Sequence, residues 1–332
     1  MLKKTLSCAI ISLVLLGSAV LPSAVEAAPK HTQLQSQSQS IMNQYQKLIS
    51  TTKEAANIIK FLDQNIAKVN RQQADSMILK LEAFYQSDLE RTQNQFFQPG
   101  IQEKLQKSYN WKTKKLVTKD TQLQKLVATK LAGKYKLTTE EGSVFPIVDY
   151  GALKNYSSYL SGEVKDYIAL KALESDKPWL SDAAIIISLD ELAARTIAGE
   201  TYLTKYPQSK AKKDATNIYL EYLDSYLYGM NNTPAFDFDT YRLRTNVLTS
   251  FNKTIKTYPN SVTAKVVQGY VNVLKKHNYQ VFIKDGLEQR GIPEVEAFKK
   301  NVHQQALQEL TKKQTKPSTV TNRYTAVGIN FL

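Results

Sequence analysis

The chain has 332 residues, 42% of them hydrophobic, enough to bury a large core without covalent staples. It carries 44 Lys and Arg against 30 Asp and Glu, a net charge of +14 that favours polyanionic neighbours such as wall polymers, acidic glycans or anionic lipid surfaces. One cysteine, Cys8, rules out an internal disulfide framework, and three histidines (His31, His277, His303) without a His-Glu-x-x-His helix argue against a His-based metal centre.

At the N-terminus, Lys3 and Lys4 precede an apolar stretch over residues 6–20, Pro22 follows, and Val25-Glu26-Ala27-Ala28 supplies small residues for a signal peptidase. Residues 1–28 therefore read as a signal peptide cleaved after Ala27 or Ala28. The apolar stretch is shorter than the roughly 20 residues a spanning helix needs. Cys8 lies ahead of the apolar stretch, whereas a lipoprotein signal places its cysteine behind it. Cleavage would leave 42 basic against 29 acidic residues and no thiol. The expected product is secreted, without a membrane span, at or near the cell wall. Export, together with the absence of arginine-rich or zinc motifs, argues against nucleic acid as a partner.

Residues 29–40, dominated by Gln and Ser, lack apolar periodicity and read as a flexible leader. From Ile41 the steps alternate between four and three through Tyr45, Leu48, Thr52, Ala55, Ile59, Leu62, Ile66 and Val69, the seam of one long helix. The rhythm fails at 70–74, where Asp75 can cap a second helix carrying Ile78, Leu81, Tyr85 and Leu89. The pattern predicts a helical hairpin, with intermolecular coiled-coil pairing as the alternative. Pro99-Gly100 breaks the chain; helices follow over 101–113 and 118–132, closing an N-terminal helical region of residues 41–132.

Glycines and Pro146 punctuate residues 133–151, where Val144-Phe145-Pro146-Ile147-Val148 and a turn at Glu141-Gly142 predict an extended loop or small hairpin, and a candidate domain boundary. Helical periodicity resumes over 153–173 and stops at Pro178. Ser188 and Glu191 form a capping-box pattern for a helix running to about Lys205. A last helix follows Pro293, and residues 314–332 form a tail with β-type residues.

Two corners echo each other: Tyr206-Pro207-Gln208-Ser209 and Tyr258-Pro259-Asn260-Ser261. Proline disfavours helix in the residue before it, and serine can cap the next helix. These corners resemble those of tetratricopeptide-like helical-hairpin repeats in bacterial envelope proteins, which implies stacked helix pairs over residues 152–313. The two corners lie 52 residues apart where that repeat has 34, and its fuller consensus is missing. The expected fold is thus all-α: a long N-terminal helical hairpin and stacked, tetratricopeptide-like helix pairs, with a small irregular or β segment near 133–151.

No catalytic signature stands out. Asp237 and Asp239 alternate as in a calcium loop, but Arg242 and Leu248 occupy its glycine and glutamate positions, leaving a turn with capping aspartates. Ser-x-x-Lys occurs at Ser50/Lys53, Ser209/Lys212 and Ser250/Lys253, and Ser108-Tyr109-Asn110 resembles a penicillin-binding second motif, but no Lys-Thr-Gly follows. The candidate catalytic pair is Asp149 with Asp190. Each follows a short apolar run, so the two carboxylates would meet if those runs lay side by side, with Tyr150 nearby as a binding residue. Tyr219, Tyr222 and Tyr226 share one helical face, either a ligand-stacking stripe or a core face.

No cofactor or metal is expected. The leading functional expectation is a non-enzymatic binding or scaffold protein of the cell envelope that recognises a protein, a peptide or an anionic wall polymer. The alternatives are a secreted carbohydrate-active hydrolase using paired carboxylates, and a structural, S-layer-like envelope component.

Overall fold

The computed structural model describes residues 28–285 and 288–314. The proposed signal segment and the tail beyond residue 314 lie outside the described residues. The described chain is mostly helical, with small antiparallel strand pairs.

Helix α1 spans Ala28–Thr51 and takes in the Gln/Ser stretch, so residues 29–40 continue the helix and are not a separate leader. Glutamine is a fair helix former, and Gln39 donates to Asn43 and Gln44 to Ser40 across single turns. The single long helix predicted over 41–69 is interrupted. Ser50 and Thr51 turn their hydroxyls back onto the Lys47 carbonyl, and Thr52 Oγ1 accepts the Glu54 amide, local bonds that compete with the helix ladder. Helix α2 (Ala55–Asn65) then carries the apolar seam onward with Ile58, Ile59 and Leu62 buried.

Helix α3 (Arg71–Phe96) starts on a capping box between Asn70 and Gln73. The cap expected from Asp75 does not form. Asp75 lies inside α3 and accepts the Ser161 amide at 2.9 Å, tying α3 to a later segment. Tyr45 of α1 donates to the Met77 carbonyl of α3 at 2.7 Å, so the N-terminal hairpin closes within the chain.

Gly100, at φ +77°, opens α4 (Ile101–Ser108), which stops five residues before the predicted end. Strands β1 (Tyr109–Asn110) and β2 (Lys115–Leu116) follow because Asn110 Oδ1 accepts the Lys112 and Thr113 amides and folds the chain into a turn. Asp120 caps α5 (Thr121–Ala132). Strands β3 (Tyr135–Glu140) and β4 (Ser143–Val148) pair through a two-residue turn at Glu141-Gly142, both at positive φ, the geometry that matches strand twist. On β4, Val144 enters a small core with Phe96, Leu105, Tyr109, Leu123 and Val127, while Val148 enters the main core.

Next come α6 (Tyr150–Leu153), α7 (Gly162–Asp176), the strand pair β5 (Leu180–Ser181) and β6 (Ala184–Ile185), and α8 (Leu189–Lys205). Ser188 caps α8 by accepting the Glu191 amide at 3.2 Å, while the Glu191 carboxylate turns to Lys177 and Arg195. Helix α9 (Lys212–Tyr228) leads into β7 (Gly229–Met230) and β8 (Thr233–Pro234). Helices α10 (Thr245–Thr257) and α11 (Val262–Lys276), the pair β9 (Phe282–Asp285) and β10 (Glu288–Gly291), and α12 (Pro293–Gln314) complete the described chain.

Both Tyr-Pro-x-Ser corners form, closed by the serine amide donating to the tyrosine carbonyl, at 3.1 Å for Ser209 and 2.9 Å for Ser261. Ser261 caps α11 by accepting the Ala264 amide, whereas Ser209 accepts the Ala211 amide just ahead of α9 and donates to Glu163.

Helix α8 is the axis of the C-terminal region. Every residue from 192 to 200 is buried, and α7, α9, α10, α11 and α12 all pack on it. In an open solenoid each helix pair would touch only its neighbours; here α12 returns to α8. Small residues allow the close approach: a Cβ at Gly199 would lie 3.2 Å from the Tyr219 Cα on α9. Glu200, 2% exposed, takes the amides of Val262 and Thr263 and the Thr263 hydroxyl, each at 2.8 Å, and the Lys313 ammonium at 2.9 Å. A carboxylate of the axial helix thus caps α11 and anchors the end of α12. The main core joins Tyr45, Leu81, Tyr167, Tyr219 and Leu310 in one cluster, running without a break past residues 133–151.

Candidate functional site

The apolar runs ahead of Asp149 and Asp190 do not lie side by side. The first belongs to the β3–β4 pair and the second to β5–β6, each strand pairing with its nearest neighbour in sequence. The two carboxylates accordingly serve different partners. Asp149 caps α6 through the Ala152 amide at 3.1 Å and lies 3.6 Å from the Lys136 ammonium. Asp190, in the first turn of α8, accepts the Ser250 hydroxyl at 2.9 Å and holds the Lys253 ammonium.

Tyr219, Tyr222 and Tyr226 are 0%, 2% and 0% exposed, so the stripe is a core face and not a ligand platform. The reason is packing on both sides of α9: Tyr219 fills the space left by Gly199, Tyr222 sets its edge on Trp179, and Tyr226 its edge on Phe251. Tyr150 is tied into the interior as well. Its hydroxyl donates to Glu82 at 2.9 Å, and the Lys171 ammonium sits 4.8 Å above its ring.

That contact belongs to a polar network between α3, α7 and α9. Lys171 lies 3.0 Å from both Glu82 and Asp214, and Tyr167 donates to Asp214 at 2.6 Å. Burial acts to lower the Lys171 pKa, but the two carboxylates outweigh it and hold the ammonium above its ordinary value. Burial, reinforced by Glu82 and Asp214, pushes both tyrosines well up, so they remain hydrogen-bond donors. The network joins α3, α7 and α9.

Asp190 lines a cleft. The cleft, of about 1040 Å³, lies between β6, β8 and α10, with Ile187, Leu189, Pro234 and Val247 among its walls and Asp190, Ser250, Lys253 and Arg244 among its polar groups. A chain of hydrogen bonds runs into it from the core: Tyr226 with Ser250 at 3.0 Å, Ser250 to Asp190, and Lys253 to Asp190. The Lys253 ammonium, aided by the Ser250 hydroxyl and opposed by burial, holds the Asp190 carboxyl below the usual carboxylate range. The same pairing raises the Lys253 pKa. Neither group has the near-neutral pKa that general acid–base catalysis favours. The N-terminus of α10 has no side-chain cap, and its first residues, Thr245, Asn246 and Val247, line the cleft.

No family model matches the chain. Nor does any curated protein or solved structure match it significantly.

The Ser250-x-x-Lys253 pattern was visible in the sequence, but its partner was not. Ser250 and Lys253 lie one helical turn apart and both reach Asp190, about 60 positions away in the chain, rather than each other. Arg244 and Trp111 were not singled out at all; a tryptophan within a lysine-rich run was the available signal for the second. Asp237, read as a turn aspartate, accepts the amides of Asp239 and Thr240 and the Thr240 hydroxyl. Among the described residues no group of three or more His, Cys, Asp and Glu side chains is arranged to hold a metal ion.

Proposed function

We propose that this chain is an exported, non-enzymatic binding protein of the cell envelope, and that the cleft beside α10 holds an extended peptide segment of a partner protein. The observation that carries the proposal is the Asp190–Ser250–Lys253 set, whose charges are fixed by mutual hydrogen bonds on the solvent-facing lining of a cleft with apolar walls. Fixed charges between apolar walls orient a ligand, whereas turnover of a glycan or ester calls for a group that gives or takes a proton near neutrality. The cleft's size suits a few residues of extended chain. Lys253, Arg244 and the uncapped end of α10 outweigh the single carboxylate of Asp190, so the complementary peptide carries an acidic group flanked by apolar side chains.

The sequence features at residues 1–28 support export, and the two Tyr-Pro-x-Ser corners support treating α8–α9 and α10–α11 as related, tetratricopeptide-like helical hairpins. N-terminal sequencing of protein recovered from the medium or the wall tests export: a start at Ala28 or Pro29 is expected, and an intact N-terminus on protein confined to the cytoplasm contradicts it. Binding of the processed protein to an immobilised peptide array tests the cleft. Capture of acidic–apolar peptides that Lys253→Glu abolishes is expected. Glycan hydrolysis that Asp190→Asn abolishes would replace the proposal with the hydrolase.

A further inference from the structure

A second surface, remote in sequence from the cleft, has a different character. Segment 101–137 contains ten lysines and only two acids, Glu103 and Asp120, so it carries more than half of the chain's net charge. Lys104 pairs with Asp120, Lys130 with Glu54, and Lys136 lies near Asp149 and Asp176. The remaining seven (Lys107, Lys112, Lys114, Lys115, Lys119, Lys125 and Lys134) make no ion pair among the described residues. Glu140 and Glu141 sit at the turn end of the β3–β4 pair, away from Lys136 at its other end.

Apolar groups lie among these lysines. Trp111, at the β1–β2 turn, is 51% exposed and rests one edge on Tyr109, with ring centroids 5.4 Å apart. Val117 is 70% exposed and Leu131 48%. Beside them runs a groove of about 580 Å³, walled by Leu116, Val127, Leu131 and Leu137 and rimmed by Lys114, Lys115 and Lys136. This is a small satellite core whose outer side lacks a cover.

We infer that this face docks the protein on an anionic lipid bilayer. Lysines without counter-ions are attracted to an acidic headgroup layer, and an exposed tryptophan among them sits at the depth where an indole ring is favoured. Val117 and Leu131 add apolar area that a soluble polyanion would leave wet. No helix among the described residues is long and apolar enough to cross a membrane, so the contact is peripheral. Association is therefore steeply salt-dependent and reversible.

The inference rests on export only in using the processed chain, and N-terminal sequencing tests that step separately. Two tryptophans make the docking measurable. Trp179 is 1% exposed, so a change in emission on binding reports Trp111. The processed protein is mixed with vesicles of phosphatidylcholine alone, or of phosphatidylcholine and phosphatidylglycerol in equal parts, and sedimented. Expected are binding to the acidic vesicles only, a blue shift of tryptophan emission, and loss of that shift in Trp111→Phe. The quadruple variant with Gln at 112, 114, 115 and 119 should partition at least about a hundredfold more weakly. These positions are exposed, and an unchanged melting temperature confirms that the variant is folded. Equal binding to neutral vesicles, no binding to either, or binding without a blue shift that soluble polyphosphate fully competes away would each overturn the inference.

Discussion

Replacing Glu200 tests how the C-terminal region is held on its axis. The carboxylate takes three hydrogen bonds from the buried start of α11 and one from Lys313. Glu200→Ala leaves two amides and a hydroxyl unpaired where Val262 and Thr263 are 1% and 0% exposed, and strips Lys313 of its counter-ion. Each buried donor left unpaired costs about 1–3 kcal/mol, so the three together put the loss at about 3–5 kcal/mol or more. For a domain of this size that is a fall in melting temperature of about 10 °C. Glu200→Gln keeps the shape and one acceptor but turns an NH₂ toward an amide donor, so its loss should be intermediate, about 2–3 kcal/mol. Lys313→Met should lose no more than about 1 kcal/mol, because Lys313 is 28% exposed and Glu200 keeps its other three donors. Urea unfolding with helical circular dichroism measures all three. A loss below about 1 kcal/mol for Glu200→Ala, or a larger loss for Lys313→Met than for Glu200→Ala, refutes the reasoning.

Four other substitutions probe separate features. Gly229→Ala should destabilise by more than about 2 kcal/mol, since φ is +74° and a Cβ would lie 2.3 Å from the Thr233 carbonyl oxygen; Gly142→Ala, at φ +77° with nothing within 4 Å, should lose only about 1 kcal/mol. Comparing their unfolding midpoints separates steric from conformational strain. The Asp190 pKa is lowered by Lys253 and Ser250, so its contribution to stability is full above the unfolded carboxylate value and is lost as pH falls through the lower folded value. Asp190→Asn should therefore flatten the acid limb of a stability–pH profile below about pH 4 and lower stability at pH 7. Glu174 and Glu221 have the opposite sign. Crowding by neighbouring protein atoms raises both, although each residue is solvent-exposed, and Glu174 further raises Glu221, so the stabilising effect of their protonated forms fades as pH rises through the folded values. Glu174→Gln should raise the melting temperature at pH 8 and leave it unchanged at pH 4.

Much of the helical content was legible because its signals are local. Pro99-Gly100, Pro178, the Tyr-Pro corners and the Ser188 cap each act within one turn of chain, and the β3–β4 pair follows from two consecutive residues at positive φ. The break at 52–54 was hidden because the apolar seam crosses it unbroken: periodicity records which face is buried, not whether the ladder is continuous. The β5–β6, β7–β8 and β9–β10 pairs were missed for another reason. Their strands have two to four residues, too short for alternation to register, and the first two lean on each other, with Ile185 donating to Thr233 and Asn232 to the Ala183 carbonyl. The tyrosines of α9 were ambiguous because apolar residues flank the stripe, so direction depended on α8 and its glycine. The cleft joins Asp190 to residues of α10, and only the packing of α10 on α8 brings them together.

The most direct test of a binding cleft is equilibrium capture on a peptide array by the processed protein, with Lys253→Glu and Asp190→Asn beside it. Wild type should retain intact peptides that place an acidic residue between apolar ones. Lys253→Glu should lose them, and Asp190→Asn, with the site's positive charge unopposed, should hold them more tightly. Capture indifferent to both substitutions, or cleavage of the retained peptides, would contradict the account.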